Sequence, residues 1–370
     1  MSFVNKVREF SSLNVDEYCS SVTPVRIQQI LSKRRLDEMD FLALLSDAAV
    51  PFLEQMACKA RDLTRAHFGN VIFLFTPLYI SNICDNVCAY CSFAHQHKIK
   101  RKHLKSEEIR LEAERIASTG LRHILVLTGE SHKAASLEYL KESVLVLRDY
   151  FSSIAIEVYP LTQEAYGELI TCGVDGLTIY QEAYDEPLYR RLHAGGPKAD
   201  YEFRVDAPER ACSEGMRSVT VGALLGLAEP RKETFFTALH AQYLQNKYPA
   251  TEVSASFPRL RPLAGEFKAD YEVNDRQYVQ FMTAFRLFMP SAGITVSTRE
   301  SESFRNSILP MGPTKMSAGV STSVGGHSDD PSDSQFEIAD DRSVEQMKRD
   351  LLSFGFQPVM HDWNYSYTRI

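Results

Sequence analysis

The sequence predicts an α/β fold: a (βα)8 TIM-type barrel with an N-terminal helical extension. Three observations carry this. From Val71 onward, short apolar, β-rich runs alternate with longer amphipathic stretches, as in a parallel sheet covered by helices. The alternation repeats eight times, the count of a closed barrel, with the last two units the least distinct. No strand signal precedes Val71, so residues 1–68 read as the extension and 69–370 as the barrel domain.

In the extension, "RRLDEMDFLALLSDAA" and "EQMACKARDLTRAHFG" place apolar residues at helical spacing, and Gly69 stops the second. The barrel opens with "VIFLFTPLYI" (71–80), a continuous apolar strand. "SEEIRLEAERIASTG" (106–120) reads as a helix with a Ser cap, acids in its first turn and a Gly stop. Strands follow at 123–130, 154–160, 175–182, 218–227, 252–258, 294–300 and 314–319, and helices at 134–150, 162–173, 200–214, 231–247, 274–289, 302–308 and 343–356. The Ser/Asp/Gly-rich stretch 321–337 reads as a loop, not a linker between domains.

Composition narrows the function. The 370 residues are 44% hydrophobic and 24% charged, ordinary for a globular chain able to bury its own core. The net charge of −7, from 41 Lys+Arg against 48 Asp+Glu, disfavours nucleic acid as the main partner. No apolar run of ~18 residues suggests a membrane span, and the first ten residues lack a signal core, so a cytoplasmic location is expected. The seven cysteines are odd in number, and three are clustered, which suits a metal or redox site in a reducing compartment.

That cluster is "SNICDNVCAYCSF". Cys84, Cys88 and Cys91 follow the first strand at C-x3-C-x2-C spacing, where a barrel places active-site groups. Thiolates hold iron–sulfur clusters, and three of them leave one iron of a [4Fe–4S] cube open. Three other readings stand beside this one: a Cys3His zinc site using His95 or His97, a C-x-x-C redox pair formed by Cys88 and Cys91, and three structural thiols. Cys58, Cys172 and Cys212 read as small core residues on helices. A non-catalytic zinc-binding barrel is therefore the competing function class.

With Tyr90 before the third cysteine, the loop resembles that of the radical S-adenosylmethionine superfamily. "LTGE" after the second strand resembles its methionine-amino-group motif and implicates Thr128, Gly129 and Glu130. "TRAHFGN", "PLYISNICDNVCAYCSF", "KIKRKHL", "IYQEAYDEPLY", "SFPRLRP", "STRES" and "HDW" are similar to segments of the aromatic amino acid lyases, and among them of the tyrosine lyases of thiamine biosynthesis. The resemblance covers Thr64 to Trp363, roughly the whole barrel.

The resemblance implies cofactors, roles and partners. A [4Fe–4S] cluster on the three cysteines and S-adenosylmethionine on its open iron would be the cofactors. Tyr90 would pack near the adenine; Tyr180, Gln181 and Glu182 would contact the ribose or the methionine part; Arg204 would neutralise the methionine carboxylate. Backbone groups of Gly222 and Leu224 would read the base. Arg299 would grip the substrate carboxylate, with Ser317 nearby, and Arg259 or Arg261 stand as further carboxylate ligands. Glu157, on the third strand, reads either as a ribose ligand or as a satisfied barrel acid.

The implied reaction cleaves the Cα–Cβ bond of L-tyrosine through a 5′-deoxyadenosyl radical, giving 2-iminoacetate (dehydroglycine) and p-cresol. The implied partners are a thiazole synthase and a flavodoxin- or ferredoxin-type electron donor. The basic run 97–105 could dock such a donor, or close over the site, or be a solvated face. Tyr159, Tyr180 and Tyr184 are candidates for protonating the cresol fragment. A tryptophan lyase on the same scaffold stays open. A hydrogenase-maturation tyrosine lyase is disfavoured, since no cysteine follows Cys212.

Overall fold

The computed structural model describes residues 2–361 except 11, 262–266 and 329. Eight parallel strands form the barrel: β1 (Val71–Ser81), β2 (His123–Thr128), β3 (Ser153–Glu157), β4 (Gly176–Glu182), β5 (Ser218–Ala223), β6 (Glu252–Ser256), β7 (Gly293–Val296) and β8 (Lys315–Ser317). Neighbours in sequence are neighbours in the sheet, and β1 pairs with both β2 and β8, so the barrel is closed. Closure rests on the shortest strand: Phe73 to Phe75 of β1 lie against Lys315 to Ser317 of β8.

A ninth strand, β9 (Gln357–Val359), pairs in parallel with Val71 to Phe73. Sequence reading misses it because three residues after a helix carry no periodicity. Its place is physical: β2 joins β1 only from Thr76 onward, and β9 covers the edge left before that point.

Most elements lie where the hydrophobic pattern places them, but the strands end earlier than expected. Gly129–Glu130, Ser297–Arg299 and Leu224 therefore sit on loops just past β2, β7 and β5. The helix at Ser106–Ser118 is not capped by Ser106; Lys105 is the N-cap residue, and its N–H donates to Glu108 Oε2 (2.9 Å). The stretch 200–214 is two short helices, Tyr201–Val205 and Ala207–Ser213. A helix at Glu186–Leu192 stands where a loop is expected, started by Asp185, whose side chain accepts from Leu188 N–H.

The extension folds onto the barrel's outer helices. Gln280, buried in the helix Asp275–Phe288, donates to the carbonyls of Leu44 and Ser46 (2.9 Å each). Phe3 stacks on His240 with ring centres 4.0 Å apart. Among the described residues, no single helix is long and apolar enough to cross a membrane.

The 318–342 stretch is tied down by charge. Asp340, fully buried, accepts from both Arg305 and Arg342, and Arg305 also donates to the Ser317 carbonyl (2.5 Å) at the end of β8. Replacing Asp340 by Ala would leave two buried guanidiniums without their carboxylate. The expected loss is about 3–5 kcal/mol, read as a lower midpoint in denaturant unfolding.

Candidate active site

The cysteine loop carries little regular structure, so its shape comes from hydrogen bonds to two neighbours. One is the "LTGE" turn. Asp85 N–H donates to the Glu130 carbonyl (2.8 Å), Asn86 Nδ2 donates to Glu130 Oε2 (2.8 Å), and Gly129 N–H donates to the Ser81 carbonyl (2.7 Å). A Cβ on Gly129 would come within 2.4 Å of the Ile83 carbonyl oxygen, so only glycine lets the turn approach the loop.

The other neighbour, 192–198, has no counterpart in the sequence reading. Val87 N–H donates to the Gly195 carbonyl (2.9 Å), Ala194 N–H to the Val87 carbonyl (3.2 Å) and Ala89 N–H to the Leu192 carbonyl (3.0 Å), so Cys88 bridges His193 in antiparallel fashion. His193 Nδ1–H donates to the Tyr189 carbonyl (2.7 Å). That leaves Nε2 to accept from the Tyr90 hydroxyl (2.7 Å). Arg101, from the basic run, donates to the carbonyls of Asn82, Phe93, Ala94 and His97. Lys100 pairs with Asp330, and Lys102 donates to its carbonyl. Arg101 thus braces the loop, and Lys100 and Lys102 tie the basic run to the 330 region.

The three thiols share one electrostatic neighbourhood. Burial pushes the Cys88 thiol up to about 12, Lys198 pulls it down, and Cys91 and Cys84 add to the rise. Among the described residues, no three His, Cys, Asp or Glu side chains are gathered closely enough to hold one metal ion. As a donor set, three thiols from one loop match a cluster that takes one thiolate on each of three irons. Among the helix cysteines, Cys212 is buried, Cys172 is half-buried and Cys58 is exposed, so Cys58 is not a core residue.

Inside the barrel lies a cavity with about 140 Å³ of free volume. Of the expected site residues, Tyr90, Cys91, Glu157, Tyr180, Glu182, Leu224, Arg299 and Ser317 line it. Cys84, Cys88, Thr128, Gly129, Glu130, Gln181, Arg204 and Gly222 do not line it. The Thr128 hydroxyl and both polar atoms of the Gln181 amide are buried without a partner. Gly222 is locked between Tyr180 of β4 and Ser256 of β6, where a Cβ would meet the Ser256 carbonyl oxygen at 2.3 Å. The Leu224 N–H donates to the Glu182 carbonyl (2.9 Å), so it is not open for reading a base.

The arginines divide sharply. Arg259 donates to Glu300, Asp275 and the Val273 carbonyl, and it lies outside this cavity. Its charge is committed, which corrects its expected substrate role. Arg261 lines the cavity instead, with Nε buried and unpartnered. Arg299 also lines it, lying 3.6 Å over the Phe336 ring, and forms no ion pair among the described residues. Of the tyrosines, Tyr159 donates to the Ala135 carbonyl (2.5 Å) and Tyr184 pairs with His240 (3.0 Å). Only Tyr180 of the three lines the cavity.

Lys198 and the 320–336 segment are the main cavity groups that sequence reading misses. Lys198 Nζ lies 2.6 Å from Glu182 Oε1 and 5.6 Å from the Tyr90 ring centre, and Arg204 approaches Glu182 to 3.7 Å. Glu182 has a left-handed backbone (φ 71°) at a break in the β4–β5 register, a strain that such clustered contacts can hold. The Tyr79 hydroxyl donates to Gln335 Oε1 (2.8 Å), and Gln335 Nε2 reaches Cys91 Sγ (3.8 Å). Of the other expected segments, "SFPRLRP" is described as far as Arg261; in "HDW", Asp362 and Trp363 lie outside the described residues.

Three comparisons fit this architecture. The model of the radical SAM superfamily matches residues 78–237, and that of the Biotin and Thiamin Synthesis associated domain matches 256–357. Over 92% of its length the chain is 39% identical to the 2-iminoacetate synthase of Escherichia coli K12, covering 91% of that protein. The chain belongs to the 2-iminoacetate synthase family. A second member, from Salmonella typhimurium LT2, is 37% identical over 98% of this chain and 97% of its own. Among solved structures, HydG, a maturase of the [FeFe]-hydrogenase, superposes with a TM-score of 0.91 at 29% identity, covering 99% of this chain and 82% of that one. The chain is accordingly a radical S-adenosylmethionine lyase with a [4Fe–4S] cluster and S-adenosylmethionine as cofactors.

Glu157 gives a test of the cavity's electrostatics. Burial, then Glu182, pushes its carboxyl up to about 7, against the pull of Arg299, Arg204 and Lys198. Unfolded, it would titrate near 4.3. Between those values the folded state keeps a proton that the unfolded state has lost, so stability falls as pH rises from about 4 to 7. Glu157→Gln, in protein without cofactors, is expected to flatten that decline and to be relatively more stable above pH 7. Melting temperatures measured across pH 4–8 check it; an unchanged slope contradicts it.

Proposed function

We propose that this chain cleaves the Cα–Cβ bond of L-tyrosine, giving 2-iminoacetate and p-cresol, in the thiazole branch of thiamine synthesis. The observation that carries the reading is that Cys91 and Tyr90 of the cysteine loop and the unpaired Arg299 line one chamber. A cofactor on the loop and a carboxylate on Arg299 would therefore face each other.

When bound, the cluster and S-adenosylmethionine supply a 5′-deoxyadenosyl radical, the hydrogen-abstracting agent that no side chain can provide. Cys84, Cys88 and Cys91 would hold the cluster, and Thr128, Gly129, Glu130, Gln181, Glu182 and Arg204 would surround the cofactor's amino acid end. Arg299 would take the substrate carboxylate in bidentate fashion, and Ser317 stands on the neighbouring strand β8. Fixing that carboxylate aims the amino group across the chamber, and such positioning accounts for much of a barrier. Phe75, Leu125, Leu127 and Leu260 line the chamber as apolar wall, which keeps water from a radical and an imine. Tyr180, which lines the chamber, would hand a proton to the cresol fragment. The reading includes a cytoplasmic location, a flavodoxin- or ferredoxin-type donor and a thiazole synthase that takes the imine.

Anaerobic incubation of the reduced, reconstituted protein with S-adenosylmethionine and tyrosine should yield p-cresol. An indolic product from tryptophan, with no p-cresol from tyrosine, would overturn the substrate assignment; protein that binds only zinc would overturn the chemistry. Arg299→Ala is expected to keep its iron and sulfide while losing about 2–5 kcal/mol in kcat/KM for tyrosine. Lysine in its place should recover only part, since an ammonium cannot pair with both oxygens.

A further inference from the structure

We propose that Lys198 is the fixed counter-charge of the cysteine-held cluster and sets how readily that cluster accepts an electron. The proposal rests on the reading that Cys84, Cys88 and Cys91 carry the cluster, and it goes beyond that reading by naming a residue that tunes it.

Lys198 is held to the cysteine loop by its own backbone. Its N–H donates to Asn86 Oδ1 (2.9 Å), inside the C-x3-C segment, and its carbonyl accepts from the Tyr189 hydroxyl (2.5 Å). The preceding Gly196 has φ 90°, and a Cβ there would come within 2.4 Å of Asn86 Oδ1 and 2.7 Å of the Asp85 carbonyl oxygen. The turn is therefore pressed against the loop as closely as a backbone allows, and it fixes the lysine relative to the thiols.

The side chain then points inward. Nζ lines the same cavity as Cys91 and Tyr90, 13% of the side chain is exposed, and Glu182 lies at 2.6 Å. Burial and Arg204 work against its charge, but the ion pair with Glu182 keeps it protonated. Arg204, a second cation within 3.7 Å of Glu182, donates through Nε to the Tyr180 carbonyl (2.8 Å).

Reduction adds an electron to a cluster already carrying three thiolates. A cation fixed in a water-poor site favours the reduced form, and charge beside a cluster is one of the terms that set its potential. Glu182 screens that cation, so the two residues should act in opposite directions. A purely structural lysine would change loading or stability and leave the potential where it was.

The test is a redox titration of the reconstituted full chain, followed by electron paramagnetic resonance without S-adenosylmethionine. Lys198→Met, at full iron and sulfide content, should move the midpoint to a more negative potential, and Lys198→Arg should stay near the wild type. Glu182→Gln should move it the other way, and decides the matter if Lys198→Met fails to fold or to load. An unmoved midpoint in fully loaded Lys198→Met, or a negative shift in Glu182→Gln, overturns the proposal alone. Wild-type protein that takes up no cluster, read from iron and sulfide analysis beforehand, overturns the functional reading beneath it.

Discussion

The site depends on one constraint: a loop with almost no secondary structure must hold three thiols at fixed spacing. Nothing covalent ties residues 82–95 in place, and the loop's backbone groups need partners as any buried backbone does. The chain supplies them from both sides. The turn after β2 takes Asp85 and Asn86, the 192–198 segment takes Val87 and Ala89, and Arg101 gathers four carbonyls from beneath. The approach is tight enough that Gly129 and Gly196 have no room for a Cβ. Loss of either glycine would push a brace away from the loop rather than merely strain a turn.

A second consequence follows for the charges. The 193–198 segment that braces the loop also delivers Lys198 to the chamber, and β4 delivers Glu182 opposite it. Preorganising the thiols and charging their surroundings are thus one structural act. Arg259 and Arg299 show the same economy. Both follow barrel strands, but Glu300 and Asp275 hold the first, whereas among the described residues nothing ionic holds the second. Phe336 supports the Arg299 guanidinium through its face, which orients the cation without neutralising it.

The barrel was legible because its strands are buried on both sides and read as unbroken apolar runs, and because helix stops such as Gly69 and Gly173 fall where the chain turns. The cysteines and Arg299 were legible because side-chain chemistry and strand-end position are local properties. What was not legible is contact between distant segments. Lys198 looks like a surface lysine in "HAGGPKAD", and its role exists only once 192–198 docks on the loop. Phe336 and Gln335 sit in a Ser/Asp-rich stretch whose composition says loop, and contacts from distant segments, among them the Asp340–arginine set, the Tyr79–Gln335 hydrogen bond and the Tyr79–Val324 bridge, bring it over the barrel. Arg259 failed for the same reason: sequence shows a charge but not whether it is already spent.

The chamber's charge balance points to its occupants. The chain as a whole is negative, at −7, yet the cavity wall carries Lys198, Arg261 and Arg299 against Glu157 and Glu182. The two acids differ in kind. Lys198 and Arg204 overcome burial to hold Glu182 low, whereas burial and Glu182 lift Glu157 to about 7. Glu182 is thus held toward its ionised form and Glu157 toward its neutral form, so the cations outnumber the charged acids. Buried excess charge is costly unless something answers it. Glu182 answers Lys198 directly at 2.6 Å, whereas Arg299 has no ionic partner among the described residues. An anion bound beside Arg299 would offset that part-buried charge, so the chamber's electrostatics favour an acidic occupant there.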